Sequence, residues 1–191
     1  KEFVQWIREY DPDVIWLHNL HGYYLNIELL FKWLKEHSQI KILWTLHDCW
    51  AFTGHCAHFS AAKCDRWKSG CGDCPQLKAY PKTYGADHTQ RNYRQKQACF
   101  TGLANLTIIV PSEWLARTVK QSFLKEYPVE VVHNQIDKSL FKPTPSDFRE
   151  QYGLDGKTVI LGAASVWDKE KGLLDFCRLR EKLDIRFAIV L

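Results

Sequence analysis

Apolar residues follow two alternating spacings along the chain, one typical of helices and one typical of buried strands. Phe3, Trp6, Ile7 and Tyr10 recur at intervals of three or four residues, which predicts an amphipathic helix. The continuous apolar run 14–17 comes next and predicts a short strand that is buried on both faces. The same two patterns predict further helices at 27–34, 89–104 and 173–183, and further strands at 42–46, 106–110, 129–132, 159–161 and 185–191.

The order of these elements indicates an α/β protein with parallel sheets, because strands alternate with helical segments. Residues 134–157 interrupt the alternation with two prolines and two glycines, and they predict a linker. We therefore predict a Rossmann-like domain over 1–133 and the start of a second one over 158–191. Both ends of the chain fall inside predicted elements, so we expect the first domain to lack its opening strand and the second to be mostly truncated.

An insert at about 48–88 shows no periodicity and contains five of the seven cysteines. A loop of this length is usually functional or is organised by something other than an apolar core. Cys71 and Cys74 have the spacing that lets two thiolates bind one tetrahedral ion. Together with Cys56 and Cys64 they predict one structural zinc, which would stabilise a segment with little core of its own. Other candidate ligands are His55 and His58, and the alternative to a metal is a set of reduced thiols or a disulfide.

Composition and charge narrow the range of partners. The chain is 46% hydrophobic and 25% charged, which is typical of a soluble globular protein. The net charge of +4 is small and the basic residues are scattered, so we expect no nucleic-acid partner. No apolar run reaches the length of about 20 residues that a membrane-spanning helix needs.

Polar residues follow the predicted strands, and in parallel sheets ligands bind at the carboxyl ends of strands. Several such residues at equivalent strand ends are expected to face one crevice. The candidates are His18, His21 and Gly22 after the first strand, His47 after the second, Asn134 after the fourth, and Lys171 with Gly172 after the first strand beyond the linker. The last two begin a predicted helix, where backbone N–H groups and an ammonium group suit a phosphate.

Several segments, in this order, resemble family-four retaining glycosyltransferases. Residues 13–22 (DVIWLHNLHG) and 45–48 (TLHD) resemble two loops of the amino-terminal domain of that family. Residues 110–115 (VPSEWL) resemble its PSxW segment, and 132–143 (VHNQIDKSLFKP) resemble its interdomain signature NGID…FxP. Residues 169–173 (KEKGL) resemble its EKG turn. The chain departs from the family at Gln135, where a glycine is usual, and at Val166, where an arginine is usual.

The cysteine-rich insert resembles one subgroup of this family. Residues 48–56 (DCWAFTGHC) and 70–75 (GCGDCP) are similar to the subgroup that builds bacterial exopolysaccharides of the colanic-acid type. The resemblance implies a GT-B fold with two Rossmann-like domains. It also implies transfer of a sugar, with retention, from a nucleoside diphosphate sugar to a glycan or lipid-linked acceptor.

The resemblance also assigns roles to the candidate residues. It implies that His47 lies near the donor sugar and the reaction centre. Lys171, Gly172 and Asn134 are expected to bind the donor, whereas His18, His21 and Gly22 are expected on the acceptor side. No catalytic metal is implied, and residues 1–191 alone are expected to be inactive. We expect a cytoplasmic protein with peripheral contact to the inner face of the plasma membrane.

Two alternatives to the enzyme remain at this point. The first is a zinc-organised binding module, for example for nucleic acid, which would explain the cysteines and the positive charge but not the repeated strand and helix pattern. The second is a purely structural α/β domain whose polar strand ends have no function.

Overall fold

The computed structural model describes residues 2–21, 24–167 and 171–191. The chain divides into two compact units, residues 1–135 and residues 136–191. The domain limits placed at 133 and 158 from the sequence stay predictions.

The first unit is built on a parallel sheet of four strands, in the order β1-β2-β3-β4. Its strands are β1 (Val14–His18), β2 (Lys41–Thr45), β3 (Leu106–Val110) and β4 (Val129–Val131). Its helices are α1 (Glu2–Tyr10), α2 (Ile27–Glu36), α3 (Thr89–Phe100) and α4 (Glu113–Val119). The predicted α/β class with parallel, Rossmann-like sheets is confirmed.

The core of this unit lies around the two central strands. Ile42 and Ile108 are fully buried, and Trp44 of β2 packs edge-on against Phe100 with ring centroids 4.8 Å apart. Phe31 of α2 completes the cluster, 4.6 Å from the Phe100 ring. Each such side chain contributes about 1.5–3 kcal/mol when it is fully buried, so this cluster fixes the helices to the sheet.

The prediction that strand 14–17 is buried on both faces was wrong. Only Leu17 of β1 is buried, whereas Val14 and Trp16 are 48% and 60% exposed. The reason is position in the sheet, because in the described structure β1 pairs with β2 alone and is an edge strand. A continuous apolar run does not distinguish an edge strand from a central one.

The second unit contains the short helix α5 (Phe148–Gln151), the strand β5 (Thr158–Leu161), the helix α6 (Leu173–Lys182) and the strand β6 (Phe187–Val190). β5 and β6 pair in parallel, with Thr158 opposite Phe187. This is the β-α-β order that the sequence predicts.

The insert between β2 and α3 contains two 3-10 turns, Trp50–Phe52 and Arg66–Lys68, and is otherwise irregular. Its buried apolar side chains nevertheless join the core of the first unit, which corrects the expectation from its sequence. Phe52 and Phe59 both pack on the buried ring of Trp67, at centroid distances of 5.5 and 4.7 Å. In the part of the chain that the structure describes, no helix is long and apolar enough to cross a membrane.

Candidate active site

Two histidines meet at the carboxyl edge of the four-stranded sheet. His18 is the last residue of β1 and lies opposite Thr45, the last residue of β2, so His47 emerges beside it. Nδ1 of His18 and Nε2 of His47 are 3.1 Å apart, and the two rings stack at 5.4 Å. One of these nitrogens must carry the hydrogen and the other must accept it, so each ring fixes the tautomer of its partner.

The electrostatic surroundings of His18 disfavour its protonation. Burial lowers the pKa of His18 below its ordinary value, and the adjacent His47 lowers it further. Two imidazolium charges at this distance repel each other. We therefore expect the His18 ring to be neutral near pH 7, which leaves an imidazole able to donate or accept a hydrogen bond.

A third histidine is held by a carboxylate at the same edge. Nε2 of His21 lies 3.7 Å from Oδ2 of Asp48, and the His21 ring lies 5.3 Å from that of Trp50. The other oxygen of Asp48 accepts a 2.8 Å hydrogen bond from the backbone N–H of Trp50. His21, His47, Asp48 and Trp50 line one small cavity of about 10 Å³, so this edge forms a single site.

Trp16 orients the His18 side of the site. Its Nε1 donates a 2.8 Å hydrogen bond to Oγ1 of Thr45, and its ring lies 5.2 Å from that of His18. Since 60% of Trp16 is exposed, this ring offers an accessible aromatic face next to the histidine pair.

Lys96 of α3 supports the Trp50 turn from inside the protein. The side chain is only 5% exposed, and its Nζ donates to the carbonyl oxygens of Trp50 (2.7 Å) and Thr53 (3.0 Å). The ammonium also lies 3.5 Å from the centre of the Trp50 ring, a cation–π contact. Burial lowers the pKa of Lys96 to about 7, against the opposing effects of Cys71, Asp48 and Cys56. These contacts of Lys96 hold the turn that places the Trp50 ring against His21.

The other predicted donor residues lie elsewhere. Asn134 is exposed in the irregular segment that follows β4. Lys171 and Gly172 belong to the second unit, where Gly172 begins α6 with a positive φ of 78°. Gly22 lies outside the described residues. The structure thus brings together His18, His21 and His47, and it joins to them Asp48 and Trp50, which the sequence did not single out as partners.

The four cysteines of the zinc prediction line one cavity in the insert together with His55, and this cavity does not include His18, His21 or His47. Across the described ranges, however, no three or more His, Cys, Asp or Glu side chains form a group that could hold a metal ion as they stand. The described side chains do not form a complete coordination shell, so the zinc site stays a prediction.

Parallel sheets and a polar carboxyl edge define an α/β protein of the Rossmann-like class. The family model for Glycosyltransferase Family 4 matches residues 1–140. The chain belongs to glycosyltransferase family 4.

A curated relative supports the same subgroup that the insert suggested. The chain is 40% identical over 74 residues to a protein of Escherichia coli (strain K12) described as "Putative colanic acid biosynthesis glycosyl transferase WcaC". The match covers 37% of this chain and 18% of the relative, so it spans less than a fifth of the relative's length. No solved structure matches the chain significantly. The resemblance to an exopolysaccharide-type glycosyltransferase is confirmed.

Proposed function

We propose that the protein containing this chain transfers a sugar, with retention, from a nucleoside diphosphate sugar to a glycan or lipid-linked acceptor. The process it serves is the biosynthesis of a bacterial exopolysaccharide or capsule. The observation that carries the proposal is the His18–His47 pair at the carboxyl edge of a parallel sheet, in a chain of glycosyltransferase family 4.

His47 is the proposed catalytic residue. In the transfer, the bond between the anomeric carbon and the diphosphate oxygen breaks and its electron pair stays with the diphosphate. A bond to the acceptor oxygen forms, and the acceptor hydroxyl gives its proton to the departing diphosphate. Positive charge develops on the sugar ring while the bond breaks. A neutral imidazole suits this place because it can orient a sugar hydroxyl without adding a like charge. His18 holds the His47 tautomer through their 3.1 Å contact.

The donor and acceptor sides use different residues. On the donor side, Lys171 and the backbone N–H groups at the start of the ten-residue helix α6 would stabilise the leaving diphosphate. Asn134 would also contact the donor. On the acceptor side are His18 and His21, with Gly22, which lies outside the described residues.

The partners follow from this chemistry. A lipid-linked acceptor would bring the protein to the cytoplasmic, inner face of the plasma membrane by peripheral contact. We propose no nucleic-acid partner and no metal ion in the transfer itself. The family match favours the enzyme over a zinc-organised binding module, and strong binding of single-stranded RNA or DNA without donor binding would favour the module instead.

Donor binding and turnover test the proposal in the complete protein. Calorimetry with UDP-glucose, UDP-galactose, GDP-mannose and GDP-fucose should find one donor that binds, and an acceptor extract should then release the matching nucleoside diphosphate. Lys171→Ala should weaken donor binding, whereas His47→Ala should bind the donor but turn it over about 10²-fold or more slowly. The anomeric proton of the product, observed by NMR, should show the donor's configuration. Binding of none of these donors, or an inverted product, would contradict the proposal.

A further inference from the structure

The cysteine-rich insert encloses a cavity that is lined by thiols. Its volume is about 10 Å³, its remaining walls include Arg66 and the rings of Phe59 and Trp67, and the four thiols are those of Cys56, Cys64, Cys71 and Cys74. A cavity of this size holds about one water-sized particle. Cys49 is buried nearby but does not line it. The chain therefore places four soft ligands around room for a single ion.

Backbone N–H groups already serve two of these sulfur atoms. The Gly54 N–H donates to Sγ of Cys71 at 3.2 Å, and the Gln76 N–H donates to Sγ of Cys74 at 3.4 Å. The hydrogen bond from Gly54 lowers the pKa of Cys71, but burial has the larger effect and raises that pKa overall. Metal-bound thiolates are commonly oriented by such outer contacts, so the C-x-x-C pair has the surroundings of a ligand pair.

A buried histidine also lines this cavity. His55 is 7% exposed, and its Nδ1 contacts Oγ1 of Thr83 at 3.3 Å. Its Nε2 is buried and makes no hydrogen bond of standard geometry among the described residues, although the backbone groups of Gln76 and Ala79 oppose the lowering of the His55 pKa by burial. This ring nitrogen can therefore donate a hydrogen bond to a sulfur in the cavity.

A buried cation lies within electrostatic range of the same thiols. Lys96 interacts with Cys71, Asp48 and Cys56, although within the described ranges no carboxylate lies within 4.0 Å of its ammonium group. Burying a charge without a close counter-charge is costly. Four thiolates around one divalent cation carry a net negative charge, which would add to the compensation that Asp48 provides.

We propose that Cys56, Cys64, Cys71 and Cys74 bind one zinc ion in a structural tetrathiolate site. The thiols release their protons to solvent, and the four sulfurs move in from the cavity wall to about 2.3 Å from the ion, since they are not yet grouped at coordination distance. No His55 ligand is needed, because its Nε2 serves as a hydrogen-bond donor to a bound sulfur.

The site would organise the segment that supports the candidate active site. The Cys49 N–H donates to the Ala57 carbonyl at 2.8 Å, and the turn between them carries Trp50 to His21. Zinc at Cys56 therefore closes the far end of this turn. Its role is to hold the turn, and it takes no part in sugar transfer.

Metal content of the complete protein tests the proposal without any assay of turnover. Protein grown with zinc and purified without chelator should contain about one equivalent of zinc. Cys71→Ser/Cys74→Ser should contain less than a tenth of an equivalent, whereas Cys177→Ser, at an exposed position, should keep the full amount. Zinc below a tenth of an equivalent in the unaltered protein, or zinc retained by the double variant, would overturn the proposal.

A cobalt spectrum keeps the test decisive if the double variant does not fold. The unaltered protein loaded with Co²⁺ should show the visible bands of a tetrahedral ion and the near-ultraviolet charge transfer of four thiolates, and His55→Ala should show the same bands. An octahedral spectrum, thiolate bands that change in His55→Ala, or iron with acid-labile sulfide in place of zinc would each overturn the assignment. A failure here leaves the proposed transferase function untouched, since metal is measured without substrate.

Discussion

The three imidazoles of the candidate site differ in what surrounds them at the scale of single residues. His18 touches both Trp16 and His47, His21 faces the carboxylate of Asp48, and His47 is exposed next to its partner. Burial and the adjacent His47 both lower the pKa of His18. The three histidines at this edge therefore differ in their partners, and His18 is the one whose protonation depends on its neighbour.

Replacement of His47 by alanine should lower kcat without unfolding the protein. In the complete enzyme we expect kcat to fall by about 10²-fold or more, the scale of one lost oriented polar group. The melting temperature should stay near that of the unaltered protein because the side chain is exposed. Steady-state kinetics and calorimetry measure the two effects.

His88→Ala is the matched control for this variant. His88 is also an exposed histidine, and at the start of α3 its side chain makes no capping hydrogen bond. Its kcat and melting temperature should equal those of the unaltered enzyme. An unchanged kcat in His47→Ala, or activity lost only because that variant unfolds, would show that His47 is structural.

The pKa of His18 should rise when its neighbour is removed. Because the folded state lowers this pKa, His18 binds a proton less readily in the folded chain than in the unfolded chain, and its contribution to stability falls as the pH drops through about 6.5. In His47→Ala one of the two causes is gone. NMR titration of the His18 ring should show a higher pKa in the variant, and an equal or lower value would disprove the coupling.

Only part of this site could be predicted from the sequence. The meeting of His18 and His47 follows from two apolar runs, because parallel strands end at one edge and each histidine closes its run. The pairing of His21 with Asp48 and the role of Lys96 could not be predicted in the same way. Both depend on the path of an insert without periodicity, and a lysine in a helix is almost always exposed.

At the scale of elements, the insert is fastened to the start of α3 by close backbone contact. A Cβ atom on Gly54 would overlap the carbonyl oxygen of Thr89 and would lie 2.8 Å from Cβ of Cys71. Neither neighbour is the end of a flexible side chain, so one of the two segments would have to move. This position therefore depends on the absence of a side chain, although the backbone of Gly54 is not in the left-handed region.

Gly54→Ala should destabilise the first unit by about 1–3 kcal/mol, the usual cost of an overpacked core. Gly85→Ala, in the same insert, provides the control, since nothing lies within 4 Å of an added Cβ there. Denaturant unfolding of the two variants measures the difference. Equal stability of both would show that the insert tolerates displacement from α3.

The positions of strands and helices were predictable from local patterns, but the packing of the insert was not. The runs at 42–46 and 106–110 predicted β2 and β3 within a residue because buried strands need continuous apolar side chains. Phe52, Phe59 and Trp67 lie at irregular intervals, so no period revealed that they form a cluster.

The two units of the whole molecule differ in how much of their apolar surface is buried. The first contains the large aromatic core, whereas Leu154 is the single buried residue among those described after residue 135. The sheet of the second unit has two strands, a size that is marginal on its own. Local stability should therefore be much lower in the second unit.

Hydrogen exchange of residues 1–191 should resolve this difference. We expect the amides of β5 and β6 to exchange faster than those of β2 and β3, because opening the second unit exposes little apolar surface. Mass spectrometry after pepsin digestion gives both rates in one experiment. Equal protection of the two sheets would mean that the units unfold together.

The insert also makes the loop-closure entropy of the two strand pairings in the first unit unequal. Residues 46–105 separate β2 from β3, whereas 19–40 separate β1 from β2. The cost of closing a loop grows with the logarithm of its length, so pairing β3 with β2 costs about 0.9 kcal/mol more than pairing β1 with β2. The β1-α2-β2 segment should therefore assemble before β3 joins the sheet. Any cross-link that forms early within the insert would shorten the effective loop and lower the entropic cost of pairing β3 with β2.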